Sequence, residues 1–138
     1  MKPLCILDAC ALIAYLNDEQ GADIVANYWR GLKEGSVFLL MHKINLLEVY
    51  YGFYKERGKT FADEMLYDVI DIGFHIVDHI SDSVFLTVGR LKGTYHISLG
   101  DAILLAQAFL NGAAVLTCDH HEFDPIEKAE AIEFEWIR

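Results

Sequence analysis

Five acidic residues occupy positions where a charge needs a reason. Asp8 ends the apolar run Leu4-Cys5-Ile6-Leu7. Glu48 lies inside a helical stretch, 43–56, and Asp101 opens an almost wholly apolar one, 98–111. Asp119 and Asp124 follow the apolar run 113–117. Each has an ordinary explanation. An Asp between strand and helix is a good N-cap. Ser98 with Asp101 three residues on is a capping arrangement. Glu48 fits an exposed helix acid, Asp119 and Glu122 fit a solvated acidic loop, and Asp124 before Pro125 is turn chemistry. For Glu122 the loop is the better explanation.

The joint placement carries more than any single acid. Asp8, Asp101 and Asp119 fall at strand ends or in first helical turns, and Glu48 can project towards them. Burying an unpaired carboxylate costs on the order of several kcal/mol, so a buried Glu48 requires a cation or a hydrogen-bond partner. Gly52, one helical turn on, is expected to leave room beside it. Crowded carboxylates raise one another's pKa unless a cation neutralises them. Hard oxygen donors suit Mg2+ or Mn2+. Such an ion activates water and stabilises phosphoryl oxygens, and a pair of ions clamps both attacking and leaving oxygens.

The elements that must position these acids are legible from apolar periodicity. Strands are expected at 4–7, 37–41, 74–78 and 113–117, with a weaker fifth at 132–137. Helical stretches fall at 9–17, from Gly21 to the glycines Gly31 and Gly35, and at 43–56, 60–72, 82–92 and 98–111. Pro3 and Pro125 are expected near element ends, with a short acidic loop after Asp119. Strands separated by helices imply right-handed crossovers and a mostly parallel sheet covered on both faces. In such sheets sites form beyond the carboxyl ends of the strands, at the switch point of strand order.

The chain has 138 residues, a length suited to one domain spanning 1–138. An apolar share of 54% argues against disorder. The N-terminal apolar run is too short for a signal peptide, and no run reaches membrane-span length, so a cytoplasmic protein is expected. Three cysteines, Cys5, Cys10 and Cys118, read as reduced thiols. Cys118 near His120 and His121 invites a zinc reading, but the repeated spaced pairs of a structural zinc site are missing. Histidines 42, 75, 79, 96, 120 and 121 show no competing metal spacing and are expected mostly at the surface or at strand edges. The balance of 11 basic and 21 acidic residues, a net charge of −10, counts against a simple nucleic-acid-binding module. It is compatible with an enzyme that recruits cations, or with a basic companion.

Four segments together resemble the motifs of PIN domains, in the right order across nearly the whole chain. They are Leu7-Asp8-Ala9-Cys10-Ala11-Leu12, Asn45-Leu46-Leu47-Glu48-Val49-Tyr50, Ser98-Leu99-Gly100-Asp101-Ala102 and Leu116-Thr117-Cys118-Asp119. The resemblance implies an α/β, three-layer α/β/α PIN-like fold with a mostly parallel five-stranded sheet. It implies that Asp8, Glu48, Asp101 and Asp119, with Asp124 as auxiliary, hold Mg2+ or Mn2+ for hydrolysis of RNA. A compact chain of this kind is similar to VapC-type toxins of VapBC toxin–antitoxin pairs. That likeness implies a homodimer and a small antitoxin that places a basic side chain among the acids. One departure is Ala9, where such domains commonly carry Ser or Thr after the first Asp.

Lys43, Lys55, Arg57 and Lys59 are candidate RNA contacts, although a solvated helix end also explains them. Tyr50, Tyr51, Phe53 and Tyr54 suit core packing or a dimer contact better than base stacking. Two rivals remain. A catalytically inert PIN-like interaction module would keep the acids without turnover. A haloacid-dehalogenase-type phosphatase also places Asp after its first strand but needs a second Asp where this chain has Cys10.

Overall fold

The computed structural model describes residues 2–138; Met1 lies outside the described residues. The chain runs β1 (Leu4–Leu7), α1 (Ala9–Leu16), α2 (Ala22–Glu34), β2 (Phe38–His42), α3 (Lys43–Arg57), α4 (Lys59–Ile72) and β3 (His75–Val77). It continues through α5 (Asp82–Thr94), α6 (Leu99–Asn111), β4 (Ala114–Thr117), α7 (His120–Ala129) and β5 (Glu133–Trp136). All strand pairs are parallel, in the order β3-β2-β1-β4-β5. The sheet is therefore the five-stranded one expected.

Side-chain alternation builds two cores from the same strands. Cys5, Leu7, Leu39, Met41, Ala114 and Leu116 face the layer of α1 to α4. Ile6 and Val115 face the opposite layer, with Leu104, Leu105, Phe123 and Ile126 from α6 and α7. Covering both faces explains why β1 and β4 read as unbroken apolar runs rather than alternating ones. The order reverses at β1, which pairs with β2 on one side and β4 on the other. Leu7 is level with Leu116, so the residues just past them, Asp8 and Thr117, emerge side by side at the switch point.

Three expectations are corrected. The stretch after Asp119 is a helix, not a loop, and Asp124 and Pro125 lie inside it. A proline there forfeits one helical hydrogen bond. The carbonyl it leaves free belongs to exposed His121, where water can satisfy it, while buried Phe123 and Ile126 anchor the helix. Burying two such side chains is worth about 1.5–3 kcal/mol each, enough to offset the loss. Gly31 does not end α2: it packs on Val37, and the helix stops at Gly35, whose φ of 77° is the left-handed C-cap. The histidines are mostly exposed, as expected, and His42 is the buried exception. Its Nδ1 accepts the Ile44 N–H at 3.1 Å, capping α3, and its Nε2–H donates to the His79 carbonyl at 3.0 Å. The space beside Glu48 belongs to Gly100 on α6, not to Gly52, which has open surroundings.

Candidate active site

Asp8 is the N-cap of α1, as its position suggests, and its Oδ1 accepts the Ala9 N–H at 2.7 Å. Capping alone does not explain its burial, because Ser caps as well without a charge. Asp8 is only 5% exposed. Its Oδ2 accepts the Thr117 hydroxyl at 2.7 Å and the Cys10 thiol at 3.2 Å. Thr117 reaches in from β4 and gives Asp8 a hydroxyl donor from a second strand. Burial nevertheless holds the Asp8 carboxyl well above the usual carboxylate range.

Asp101 faces Asp8 from the first turn of α6. Its backbone N–H donates to Ser98 Oγ at 3.1 Å, so the capping arrangement exists as read. Burial first, and then the charges of Asp8, Glu48 and Asp119, push its carboxyl up to about 7. Those interactions place the four acids in one electrostatic field. Glu48 is likewise raised, mainly by burial, with the Asn45 amide partly opposing it. Asn45 is 1% exposed and braces α3 against α6: its Nδ2 donates to the Gly100 carbonyl at 3.0 Å and reaches Glu48 Oε1 at 3.5 Å. A Cβ on Gly100 would lie 1.9 Å from Glu48 Oε1, so only glycine admits the carboxylate here.

Asp119 caps α7, accepting the Glu122 N–H at 3.2 Å, while its own N–H donates to Thr117 Oγ1 at 3.1 Å. Three helix N-termini, those of α1, α6 and α7, thus carry acids of the cluster, and their positive dipole ends favour negative charge. No basic side chain stands among the main groups acting on Asp8, Glu48 or Asp101. Asp124 is set differently. It is exposed and bonds His120 Nδ1 at 2.9 Å, and His120 stacks on Trp136. It is not among the acids that raise Asp101.

The donor set is hard and anionic, which fits a divalent cation bound by oxygen. Two further features favour such a guest: Asn45 Oδ1 is buried without a partner, and the cleft at Gly100 admits Glu48. As the side chains stand, no three His, Cys, Asp or Glu groups among the described residues converge as a metal-binding set. Asp8 is turned into its own three donors.

Thr117 and Asn45 are the positioning residues that the sequence did not single out. Thr117 ends an apolar strand, where a hydroxyl looks incidental; Asn45, three residues before Glu48, carried a signal as the polar residue of an otherwise apolar helix start. Among the candidate RNA contacts, Lys59 is paired with Asp63 and Arg57 lies 4.7 Å over the Phe61 ring. Of the aromatic set, Phe53 is buried, whereas Tyr51 and Tyr54 are exposed.

The chain belongs to the PIN domain family, whose model matches residues 5–129. Its fold is shared by chains of solved toxin–antitoxin complexes. The VapBC complex of Salmonella typhimurium matches at 19% identity over 100% of each chain, with a TM-score of 0.72. A toxin–antitoxin complex from Klebsiella pneumoniae matches at 22% identity over 94% of this chain and 98% of that one, with a TM-score of 0.68. VapC20 of Mycobacterium tuberculosis, named as a sarcin–ricin-loop-cleaving toxin, matches at 12% identity over 80% and 86%, with a TM-score of 0.61. At these identities the likeness is one of fold. No curated protein matches the chain.

Proposed function

We propose that this PIN domain is a metal-dependent endoribonuclease and the toxin of a toxin–antitoxin pair. The supporting observation is the raised Asp101 carboxyl, on which the charges of Asp8, Glu48 and Asp119 act with no basic group among its main influences. Asp8, Glu48, Asp101 and Asp119 would hold Mg2+ or Mn2+, with Asp124 as an auxiliary. When bound, the ion supplies an activated water and charge stabilisation for phosphoryl oxygens. The chain's own groups prepare the site. Thr117, Cys10 and the Ala9 N–H orient Asp8, while Asn45 and Gly100 fix the depth at which Glu48 enters. The helix N-termini favour the ionised forms, against the burial that raises the Asp8, Glu48 and Asp101 carboxyls.

The partners follow from the same charge. A net charge of −10 suits an antitoxin whose basic segment enters the acid cluster. Chains sharing the fold are found in VapBC complexes, in Rickettsia felis bound to a DNA fragment from their promoter. A homodimer and an RNA substrate complete the reading. No helix among the described residues is long and apolar enough to cross a membrane.

The test is cleavage of total RNA with Mg2+ or Mn2+, against EDTA and an Asp8→Asn control, alongside calorimetric metal titration. Metal-dependent cutting lost in Asp8→Asn supports the reading. Absence of metal binding refutes it. A second reading, an inert interaction module, draws on the absence of a preassembled three-ligand set among the described residues. Metal binding without cleavage of any RNA would favour that module.

A further inference from the structure

Neither Cys10 nor Cys118 is among the residues proposed to hold the ion, yet the fold sets the two against each other beside Asp8. Cys10 is the second residue of α1 and Cys118 directly follows β4, and the β1–β4 register carries both past the same end of adjacent strands. The Cys10 sulfur accepts the Cys118 backbone N–H at 3.2 Å, lies 3.2 Å from Thr117 Oγ1 and donates to Asp8 Oδ2 at 3.2 Å. A sulfur that close to the Cys118 backbone nitrogen lies within one side chain's reach of the Cys118 thiol. Both are free thiols and neither is buried, whereas the third, Cys5, is enclosed in the core.

We propose that Cys10 and Cys118 form a reversible disulfide on exposure to a peroxide, making the pair an oxidation site built against the Asp8 carboxylate. This goes beyond the nuclease reading and does not depend on it. One thiolate attacks a peroxide oxygen; the O–O bond breaks, and water or an alcohol leaves. The sulfenic acid formed is attacked by the second sulfur; the S–S bond forms, the S–O bond breaks, and water leaves with the thiol proton. Two thiols lose two electrons in total, and the peroxide gains them. Joining the sulfurs takes away the S–H that Cys10 donates to Asp8 and ties the start of α1 to the exit of β4.

The experiment uses the reduced wild-type chain, treated with a modest excess of hydrogen peroxide, alkylated under denaturing conditions and mapped by peptide mass. The expected result is one intrachain Cys10–Cys118 peptide pair lacking two hydrogens, with Cys5 alkylated throughout, and full recovery with dithiothreitol. In Cys10→Ser, which retains a donor to Asp8, Cys118 should instead pass to sulfinic acid that dithiothreitol does not reverse. Both thiols remaining alkylatable, a link only between two chains, or overoxidation of the wild type without a disulfide would each overturn the proposal. RNA cleavage does not enter the readout, so a failed nuclease assay and a failed disulfide remain separate results.

Discussion

Gly100→Ala separates the metal-site reading from general folding effects. An added Cβ would sit 1.9 Å from Glu48 Oε1, and ordinary contact begins at 3.4 Å. The carboxylate oxygen must therefore retreat by about 1.5 Å (3.4 minus 1.9), a large fraction of the roughly 2.0–2.1 Å Mg–oxygen bond. Glu48 is the end of a flexible side chain, so it can swing away without moving α3. Alanine also favours the helix over glycine by up to about 1 kcal/mol, so thermal stability should be unchanged or slightly higher. Losing one well-placed carboxylate should weaken Mn2+ binding by about 10–100-fold, equivalent to roughly 1.4–2.8 kcal/mol. Isothermal titration calorimetry against Mn2+, paired with thermal melting, reads both quantities. A folded Gly100→Ala protein whose Mn2+ affinity stays within threefold of wild type would refute the placement of Glu48 in the site.

Three further outcomes are expected. Asp101 has a folded pKa of about 7 against an ordinary 3.8, so the native state holds its proton more tightly than the unfolded chain. The stability this gives is fully present below about pH 4 and is lost as pH rises through about 7; Asp101→Asn should therefore stabilise the metal-free protein at pH 8 relative to pH 5. Because pH 5 already lies above the ordinary 3.8, only about two pH units of the shift fall in that interval, and with a discount of about half for a carboxyl that is only partly buried we expect about 1 kcal/mol; equal effects of the substitution at both pH values in denaturant titrations would contradict it. Thr117→Val keeps the shape but strips the donor to Asp8 and the acceptor of the Asp119 N–H, which should cost about 1–3 kcal/mol and lower the melting temperature; an unchanged melt would remove Thr117 from its positioning role. Charge reversal of Lys55 and Arg57 to Glu should reduce RNA binding at low salt in a filter or anisotropy assay, and unaltered binding would leave them as solvated helix-end residues.

Much of the site was legible because a buried parallel strand and an acid at its end are both local signals. Asp8 and Asp119 could be placed from the apolar runs before them, and Asp101 from the apolar helix after it. The capping explanations also proved correct as geometry: Asp8 and Asp119 are caps, and Ser98 and Asp101 pair as read. Capping and the candidate chemistry are therefore compatible uses of one position. What the sequence did not reveal depends on contacts between distant segments. Thr117 is meaningful only beside Asp8, 109 residues away, and Gly100 only against Glu48 on another helix. Helix α7 was missed because Asp124-Pro125 has strong turn chemistry locally, which the burial of Phe123 and Ile126 overrides.

The pairing of β1 with β4 also sets a clock. The bond between Asp8 and Thr117 joins residues 109 positions apart. A ribosome adding about 5–20 residues per second takes roughly 5–20 s to travel that distance. Throughout that interval the growing chain has the first acid and none of its partners from β4. The acid cluster is thus an assembly of late synthesis, closed only when the second half of the sheet docks on the first. A binding partner that recognises the finished cluster has that long to be ready.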